Sequence, residues 1–271
     1  MRRLISRIAS LLPQRVKTLL VGKPEAPNRL ANFVHGILNR TPGGRFVILP
    51  CEKPLKGYRM RIDWQKHRSF IYGTWEPEVV HVLLQNVSPG MVALDIGAHG
   101  GYFTLLLSKL VGPSGRVIAF EPLPANVRVL EENLRLNDAK NVQAVGKAMG
   151  EHSGEFELSV PAEDSTLVAG ELSAEEKGTM RVACDSLDDF FEKVGSRVDF
   201  IKMDVEGAES GILRGAGKTI KRDKPTMLVE LHDIDRYKDE HPALKQLRDL
   251  KYDIEWVGAR KYNGHVLAKK M

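Results

Sequence analysis

The sequence lacks several features that would place it in other structural classes. Its 271 residues include only two cysteines, Cys51 and Cys184, far apart in the chain. This argues against a disulfide framework or a structural zinc site and fits a reducing compartment. No stretch approaches the roughly 18 to 20 apolar residues that a membrane-spanning helix needs. With 42% hydrophobic and 28% charged residues, the composition is typical of a soluble globular protein and excludes a disordered, collagenous or coiled-coil chain.

The excess of positive over negative charge is confined to the N-terminal segment. The net charge is +5, but residues 1–24 hold six Lys and Arg residues and no acid, so the remainder has 34 basic and 35 acidic residues. A nucleic-acid groove needs basic residues clustered on the fold itself. We therefore expect no nucleic-acid partner.

Residues 1–21 have the pattern of a cationic amphipathic helix, which Pro13 should kink. Three interpretations stay open: packing on the rest of the domain, contact with an anionic membrane surface, or a targeting presequence. We expect a cytoplasmic protein, with peripheral membrane contact through this segment as an open alternative. Residues 22–44 are interpreted as linkers around a short helix near 29–39. Residues 1–74 together are expected to form an amphipathic helix and an α+β cap.

From about residue 75 the pattern changes to strands alternating with helices, which predicts an α/β domain over residues 75–271. Such alternation is typical of a doubly wound, Rossmann-like, mostly parallel sheet. Residues 141–148 are predicted as one strand, 208–220 as one helix, and 154–184 as a strand or hairpin excursion. The chain should end in an antiparallel hairpin joined across Asn263-Gly264.

A glycine-rich turn follows the first strand of this domain. The apolar strand ends at Asp95, and Gly97, His99 and Gly101 lead into a helix. Glycine permits positive φ and close approach of a ligand, and a helix start offers unpaired N–H groups. A ligand is therefore expected at the carboxyl end of this strand.

The spacing of this loop argues against a dinucleotide. The third position of the Gly-x-Gly-x-x-Gly fingerprint, counted from Gly97, is His99. The Asp95 carboxylate would repel a pyrophosphate, whereas it suits a cationic ligand such as S-adenosylmethionine. Glu121, at the end of the next strand, can accept hydrogen bonds from ribose hydroxyls.

In these motifs the chain resembles the FkbM family of class I S-adenosylmethionine-dependent methyltransferases. The matching segments cover about residues 75–235 in family order: Pro89-Gly90, Asp95-Ile96-Gly97-Ala98 with Gly101, Phe120-Glu121-Pro122, Ser186-Leu187-Asp188, Ile201 to Glu209, Gly215-Ala216, and Glu230-Leu231-His232.

The resemblance implies a seven-stranded sheet and methyl transfer to a hydroxyl of a sugar, a glycan or another small natural product. It implies S-adenosylmethionine as cofactor, bound by Asp95, Gly97, His99, Gly101 and Glu121. The chain departs from the family where His99-Gly100 replaces Asn and an aliphatic residue, so His99 either lines the cofactor or faces solvent.

Several acids and a histidine are expected at one edge of this sheet. In the strand order that the resemblance implies, the strands ending at Asp204 and at His232 are neighbours. Their carboxyl ends would therefore gather five titratable side chains. These are Asp204, Glu206, Glu209, Glu230 and His232.

Three accounts of this cluster stay open. Asp204, Glu206 or His232 can act as a general base on a hydroxyl acceptor. Alternatively, Asp204, Glu206, Glu230 and His232 can hold a divalent cation such as magnesium, or the groups form ion pairs, one of them with Lys202, and are otherwise solvated. We take Asp204, Glu206 and His232 as the catalytic candidates and expect no resident metal.

The strand that ends at Asp204 continues as Val205-Glu206-Gly207, without the Asn/Asp-Pro-Pro-aromatic segment typical of enzymes that methylate amino groups of nucleic-acid bases. A hydroxyl acceptor is therefore favoured. The alternative function is a membrane-associated, catalytically inactive binding protein that kept the methyltransferase fold, suggested by residues 1–21 and the altered His99-Gly100 loop.

Overall fold

A computed structural model of the chain describes residues 46–63, 66–160, 178–237, 240–259 and 262–270. These residues fall into two compact units. The smaller unit takes in the described residues before Glu76 together with Arg135–Asn137, and the larger unit holds the others. The helices predicted over 1–21 and near 29–39 lie outside the described residues. Within the described ranges, no helix is long and apolar enough to cross a membrane.

The smaller unit is built on an antiparallel pair of strands, β1 (Phe46–Pro50) and β2 (Arg59–Asp63), followed by the short helix α1 (Arg68–Tyr72). Strands together with a helix are consistent with the α+β cap expected in this part of the chain. Met60 and Ile62 of β2 are buried, as expected for alternate residues of a strand with one face on a core.

The larger unit contains the following strands and helices, in chain order. They are α2 (Pro77–Asn86), β3 (Val92–Ile96), α3 (Tyr102–Val111), β4 (Arg116–Phe120), α4 (Pro124–Leu136), β5 (Val142–Val145), β6 (Ala148–Gly150), β7 (Gly154–Val160), β8 (Gly178–Ser186), α5 (Leu187–Val194), β9 (Phe200–Met203), α6 (Glu209–Arg214), α7 (Gly217–Asp223), β10 (Thr226–His232), α8 (Ile234–Tyr237), α9 (Pro242–Asp249), β11 (Tyr252–Ala259) and β12 (Asn263–Lys270).

Seven of these strands form the central sheet, in the order β11-β12-β10-β9-β3-β4-β5. The pairs from β10 to β5 are parallel, whereas β12 runs antiparallel to both of its neighbours. The central strands are apolar and buried along most of their length, as parallel strands covered by helices on both faces must be. The doubly wound, seven-stranded, mostly parallel sheet with a terminal antiparallel hairpin is therefore confirmed.

The predicted strand over 141–148 is divided into two elements. After Val145 the chain turns, since the Lys147 N–H donates to the Val145 carbonyl over 2.9 Å. β6 then leaves the central sheet and joins a three-stranded sheet of order β6-β8-β7. The β7–β8 pair is antiparallel, which confirms a hairpin excursion, and residues 161–177 between these strands lie outside the described residues.

The single helix predicted over 208–220 is also wrong. It is two helices, α6 and α7, separated at Gly215. A Cβ atom at Gly215 would lie 2.2 Å from the Gly150 carbonyl oxygen, so this tight packing against β6 needs glycine. The Asp188 carboxylate then accepts bonds from the Lys218 and Thr219 N–H groups at the start of α7, over 2.9 and 2.8 Å.

The turn predicted at Asn263-Gly264 is likewise wrong, because both residues belong to β12. Asn263 pairs with His232 and Gly264 with Leu231 of β10. Gly264 is required for a different reason: a Cβ there would lie 2.9 Å from the Trp256 ring on β11. The glycine thus marks close packing between strands rather than a two-residue turn.

Ser186 caps α5, and its loss gives a measurable prediction. Its side chain accepts a hydrogen bond from the Asp189 N–H over 3.1 Å. We expect Ser186→Ala to lower the free energy of unfolding by about 1 kcal/mol, the usual effect of losing an N-cap hydroxyl. Urea denaturation would measure it. Ser114→Ala, at an exposed serine, is the control and should change stability by less than about 0.5 kcal/mol; an equal loss in both variants contradicts the capping role.

Candidate active site

The loop between β3 and α3 lies directly against the end of β9. Gly97 has a φ of +86°, and a Cβ there would lie 1.8 Å from the Asp204 carbonyl oxygen. Gly101 has a φ of +90° and occupies the N-cap position of α3, where a Cβ would lie 2.7 Å from Leu130 Cδ1. Both glycines are therefore needed by backbone conformation and by packing. The loop brings the predicted cofactor motif next to Asp204.

Glu121 joins this loop to the end of β4. Its Oε2 accepts a bond from the His99 N–H over 2.8 Å. Its Oε1 accepts bonds from the Leu123 N–H over 3.0 Å and from the Asn126 amide over 3.2 Å. A carboxylate offers about four acceptor sites, so one remains on Oε2, beside the loop. This remaining site fits a hydroxyl of the nucleoside that the sequence predicts.

His99 stands at a position with a φ of +52°. Among residues other than glycine, Asn, Asp and His adopt this left-handed region most readily, so histidine can replace the asparagine that the family usually has. The side chain of His99 is half-buried. The backbone N–H, rather than the ring, makes the contact with Glu121. The role of the ring toward the cofactor stays a prediction.

Asp95 is fully buried beside Thr104 and Lys202. Its Oδ2 accepts a bond from the Thr104 hydroxyl over 2.5 Å. Its Oδ1 makes no hydrogen bond to a described group and lies 3.8 Å from Lys202 Nζ. Burial raises the pKa of Asp95. Asp95 thus lies beside the Lys202 cation at the end of β3, and a direct contact with the cofactor stays a prediction.

Lys202 is a buried cation between two carboxylates. Its Nζ lies 3.3 Å from Asp204 Oδ2 and 5.0 Å from the centre of the Phe103 ring. Burial alone would lower the pKa of Lys202, but the Asp204 and Asp95 charges outweigh it and raise that pKa. Burial likewise acts to raise the pKa of Asp204, yet Lys202 and His232 hold it below its usual value. Asp204 is therefore an ionised carboxylate with little basicity.

His232, at the end of β10, is held by carboxylates on both ring nitrogens. Nδ1 lies 2.6 Å from Glu209 Oε1, and Nε2 lies 3.3 Å from Oε2 of the exposed Glu206. Burial acts to lower the pKa of His232, but the Glu209 bond and the charges of Glu206 and Glu230 raise it to about 9. The imidazole is thus mostly protonated at neutral pH.

The structure brings the three predicted catalytic residues close together: Glu206 Oε2 lies 3.3 Å from His232 Nε2, and Asp204 lies near His232 in a group that also contains Glu230. Asp204, Glu230 and His232 each offer a ligand atom, and these atoms lie within 4.8 Å of one another. The oxygen and imidazole donors are of the type that holds a divalent cation. Three of the four residues predicted for magnesium therefore come together, and Glu206 is not one of this group.

The sequence alone did not show the pairing of Glu209 with His232, nor the buried position of Lys202 between Asp95 and Asp204. It also missed Glu76 and His265, which lie close to Glu230. The available signal for His265 was a histidine directly before the short apolar run Val266-Leu267-Ala268.

Comparisons with known proteins agree with this geometry. The methyltransferase FkbM domain model matches residues 95–254, and a protein-L-isoaspartate(D-aspartate) O-methyltransferase model matches residues 34–152. The chain is similar to the 2-O-methyltransferase NoeI of Sinorhizobium fredii, with 27% identity over 228 residues, covering 76% of this chain and 92% of that protein. It is also similar to Methyltransferase 1 of Beauveria bassiana, with 30% identity over 142 residues, covering 45% of this chain and 57% of that protein.

Among solved structures, an FkbM methyltransferase from Methylobacillus flagellatus KT resembles the chain with a TM-score of 0.46 and 21% identity, over 72% of this chain and 51% of that chain. The chain thus spans little more than half the length of this protein and of the Beauveria relative. The FkbM domain match extends over more than half of the sequence and includes the glycine loop, Glu121 and the His232 edge. The chain therefore belongs to the FkbM family of class I S-adenosylmethionine-dependent methyltransferases.

Proposed function

We propose that this protein is an S-adenosylmethionine-dependent O-methyltransferase whose acceptor is a hydroxyl of a sugar, a glycan or another small natural product. The observation that carries the proposal is His232, held between Glu209 and Glu206 at the sheet edge where Asp204 contacts the glycine loop. A hydroxyl must lose its proton when it accepts a methyl group, and in its neutral form this imidazole would take it. The name of the Sinorhizobium fredii relative, a 2-O-methyltransferase, supports oxygen as the acceptor atom.

The residues of the chain divide the work between binding and proton transfer. When bound, S-adenosylmethionine supplies the methyl group from its sulfonium. Glu121 and the glycine loop would hold the nucleoside, as the remaining acceptor site on Oε2 supports. Most of the rate would come from orienting donor and acceptor for an in-line displacement. Neutral His232 would take the hydroxyl proton as the new C–O bond forms, and Glu209 would stabilise the resulting imidazolium.

Asp204 would supply negative charge rather than act as the base. Its pKa is lowered and its carboxylate faces Lys202, so it can offset the positive charge of that lysine beside a cationic methyl donor. Glu206 would reach His232 from the solvent side, since its side chain is 80% exposed. The comparisons give no support to the alternative of an inactive, membrane-associated binding protein. Residues 1–21, one of the two features that suggested this alternative, lie outside the described residues.

Asp204→Asn tests this assignment. The variant leaves the Lys202 charge opposed to the sulfonium, so we expect turnover to fall at least about tenfold, a loss of about 1.4 kcal/mol of transition-state stabilisation. S-adenosylhomocysteine has no sulfonium charge, so its affinity should stay nearly unchanged. Methyl transfer to a panel of hydroxyl acceptors, followed by mass spectrometry, and calorimetric titration with S-adenosylhomocysteine are the two measurements. Unchanged turnover would remove Asp204 from the reacting side, and methylation of amines but of no hydroxyl would contradict the proposed acceptor class.

A further inference from the structure

A second cluster of titratable groups lies behind the reacting edge, in the larger unit. It consists of Glu76, just before α2, Glu230 on β10 and His265 on β12, and we call it the inner cluster. All three residues are at most 5% exposed. Each offers one ligand atom, and the three atoms lie within 4.8 Å of one another. Nothing in the proposed methyl transfer uses Glu76 or His265.

One ring nitrogen of His265 lacks a hydrogen bond within the described part of the chain. Its Nε2 is buried and makes no hydrogen bond to any described group. That nitrogen nevertheless faces Glu230 Oε2 at 3.3 Å and Glu76 Oε2 at 3.7 Å. A single N–H can point to only one of two such oxygens. A buried polar atom without a hydrogen bond is costly, so the convergence of both carboxylates on Nε2 needs another explanation.

The spacing of these atoms matches the ligands of a metal ion. Two ligands at about 2.1 Å from one ion, at a tetrahedral angle, are separated by about 3.4 Å. The two measured separations, 3.3 and 3.7 Å, lie on either side of this value. Two carboxylates also carry the charge that a divalent cation neutralises. Burial raises the pKa of Glu76; the His265 charge acts to lower it, and the Glu230 charge acts to raise it further.

We propose that Glu76, Glu230 and His265 bind a divalent transition-metal ion of the zinc type. Imidazole together with carboxylate favours such an ion, whereas magnesium usually keeps several waters, for which a site formed by three buried side chains has little room. The ion would tie the start of α2 to β10 and β12. It would also fix Glu230, whose other oxygen lies 4.0 Å from His232 Nε2. This site shares Glu230 with the Asp204–Glu230–His232 group at the reacting edge, but its other two ligands are different.

The experiment uses the full chain, freed of metal by a chelator and then titrated with Zn²⁺. We expect the wild type to take up one equivalent by calorimetry and elemental analysis, and Zn²⁺ to raise its melting temperature, since an ion that binds only the folded state stabilises it. Substitution with Co²⁺ should give the visible d–d absorption of a low-coordinate site. These readouts do not depend on methyltransferase activity, so they can fail while the proposed function stands.

Three variants identify the ligands. Glu76→Gln and His265→Gln should each weaken Zn²⁺ binding by at least about 10- to 100-fold, because removal of even an outer-shell partner has such an effect. His232→Gln is the matched control: it removes the histidine of the other group and should leave Zn²⁺ affinity within about threefold, well inside the effect of a lost ligand. Far-UV circular dichroism checks folding, and Glu76→Gln provides the test if His265→Gln does not fold. The proposal is overturned if the wild type takes up no Zn²⁺, or if only His232→Gln abolishes binding.

Discussion

Replacement of Glu121 by alanine should weaken binding of S-adenosylhomocysteine by about 100-fold. Hydrogen bonds to a charged group contribute about 1.5 to 3 kcal/mol each, and 2.7 kcal/mol corresponds to a factor of about 100 in the dissociation constant. The structure leaves one acceptor site on Glu121 Oε2, at the side of the glycine loop. The same carboxylate holds the His99 N–H, so its loss would also release the loop that should contact the ligand. Calorimetric titration of both proteins measures the effect.

The control for this variant separates lost ligand contact from lost packing. Asn126→Ala removes a buried partner of Glu121 but keeps the carboxylate and its Oε2 site. We expect its affinity to fall by less than about tenfold, near the effect of one neutral hydrogen bond. Equal losses in the two variants would indicate a general loosening of the loop. Wild-type affinity in a folded Glu121→Ala variant would place the cofactor elsewhere on the chain.

The arrangement of the loop and strand ends that we propose to hold the cofactor could be predicted, because the sequence signals for it are local. The β3 strand, the glycine loop and the start of α3 are continuous in sequence, and Glu121 follows at the end of the next strand. In a parallel sheet, strand ends that are close in sequence meet at one edge. The structure bears out this arrangement, with the His99 N–H 2.8 Å from Glu121. The resemblance then supplied the strand order that places β9 between β3 and β10.

Two glycine positions and the proximity of His265 to Glu76 could not be predicted, because they depend on contacts between distant parts of the chain that no local pattern encodes. Gly215 and Gly264 both suggest turns or helix continuation when they are read alone. In the fold, Gly215 ends a helix because it packs against the Gly150 carbonyl, and Gly264 lies in a strand against Trp256. His265 and Glu76 are 189 positions apart in the chain, yet Nε2 of the first lies 3.7 Å from a carboxylate oxygen of the second. The antiparallel return of β12 places His265 opposite Glu230 of β10, and no local pattern shows that Glu76 lies beside them.

The sequence also could not show which charged groups at the reacting edge pair with one another. The pattern showed many acids but not which of them are neutralised. In the structure, Lys202 holds Asp204 in its ionised form, so Asp204 is a weak base. The sequence placed Glu209 at this edge without a partner, and in the structure its carboxylate lies 2.6 Å from Nδ1 of His232. Among the three candidate bases, these pairings favour His232 over Asp204, which is the assignment that we propose.

A histidine base with a raised pKa predicts a definite pH profile. The pKa of His232 is about 9, above its ordinary value, so the basic form is lost as the pH falls below 9. We expect kcat/KM to increase about tenfold per pH unit from pH 6 to pH 8 and to level off near pH 9, since this parameter reports the free enzyme. His232→Gln should abolish this rise of kcat/KM with pH, which we call the acid limb of the profile. It should also lower kcat/KM at pH 9 by about 10²- to 10⁴-fold, the usual contribution of general base catalysis.

Glu209→Gln supplies the decisive comparison, because it changes the basicity of His232 without removing the imidazole. The substitution removes the negative charge 2.6 Å from Nδ1, which is one of the causes that raise the pKa. The midpoint of the limb should therefore move to lower pH, toward the ordinary histidine value of about 6.5. Near neutral pH this variant would contain more of the neutral base, although each base would be weaker. A merely structural role of Glu209 would lower the rate at every pH and leave the midpoint in place. A midpoint near 9 in both proteins would assign the limb to another group and return the role of base to Asp204 or Glu206.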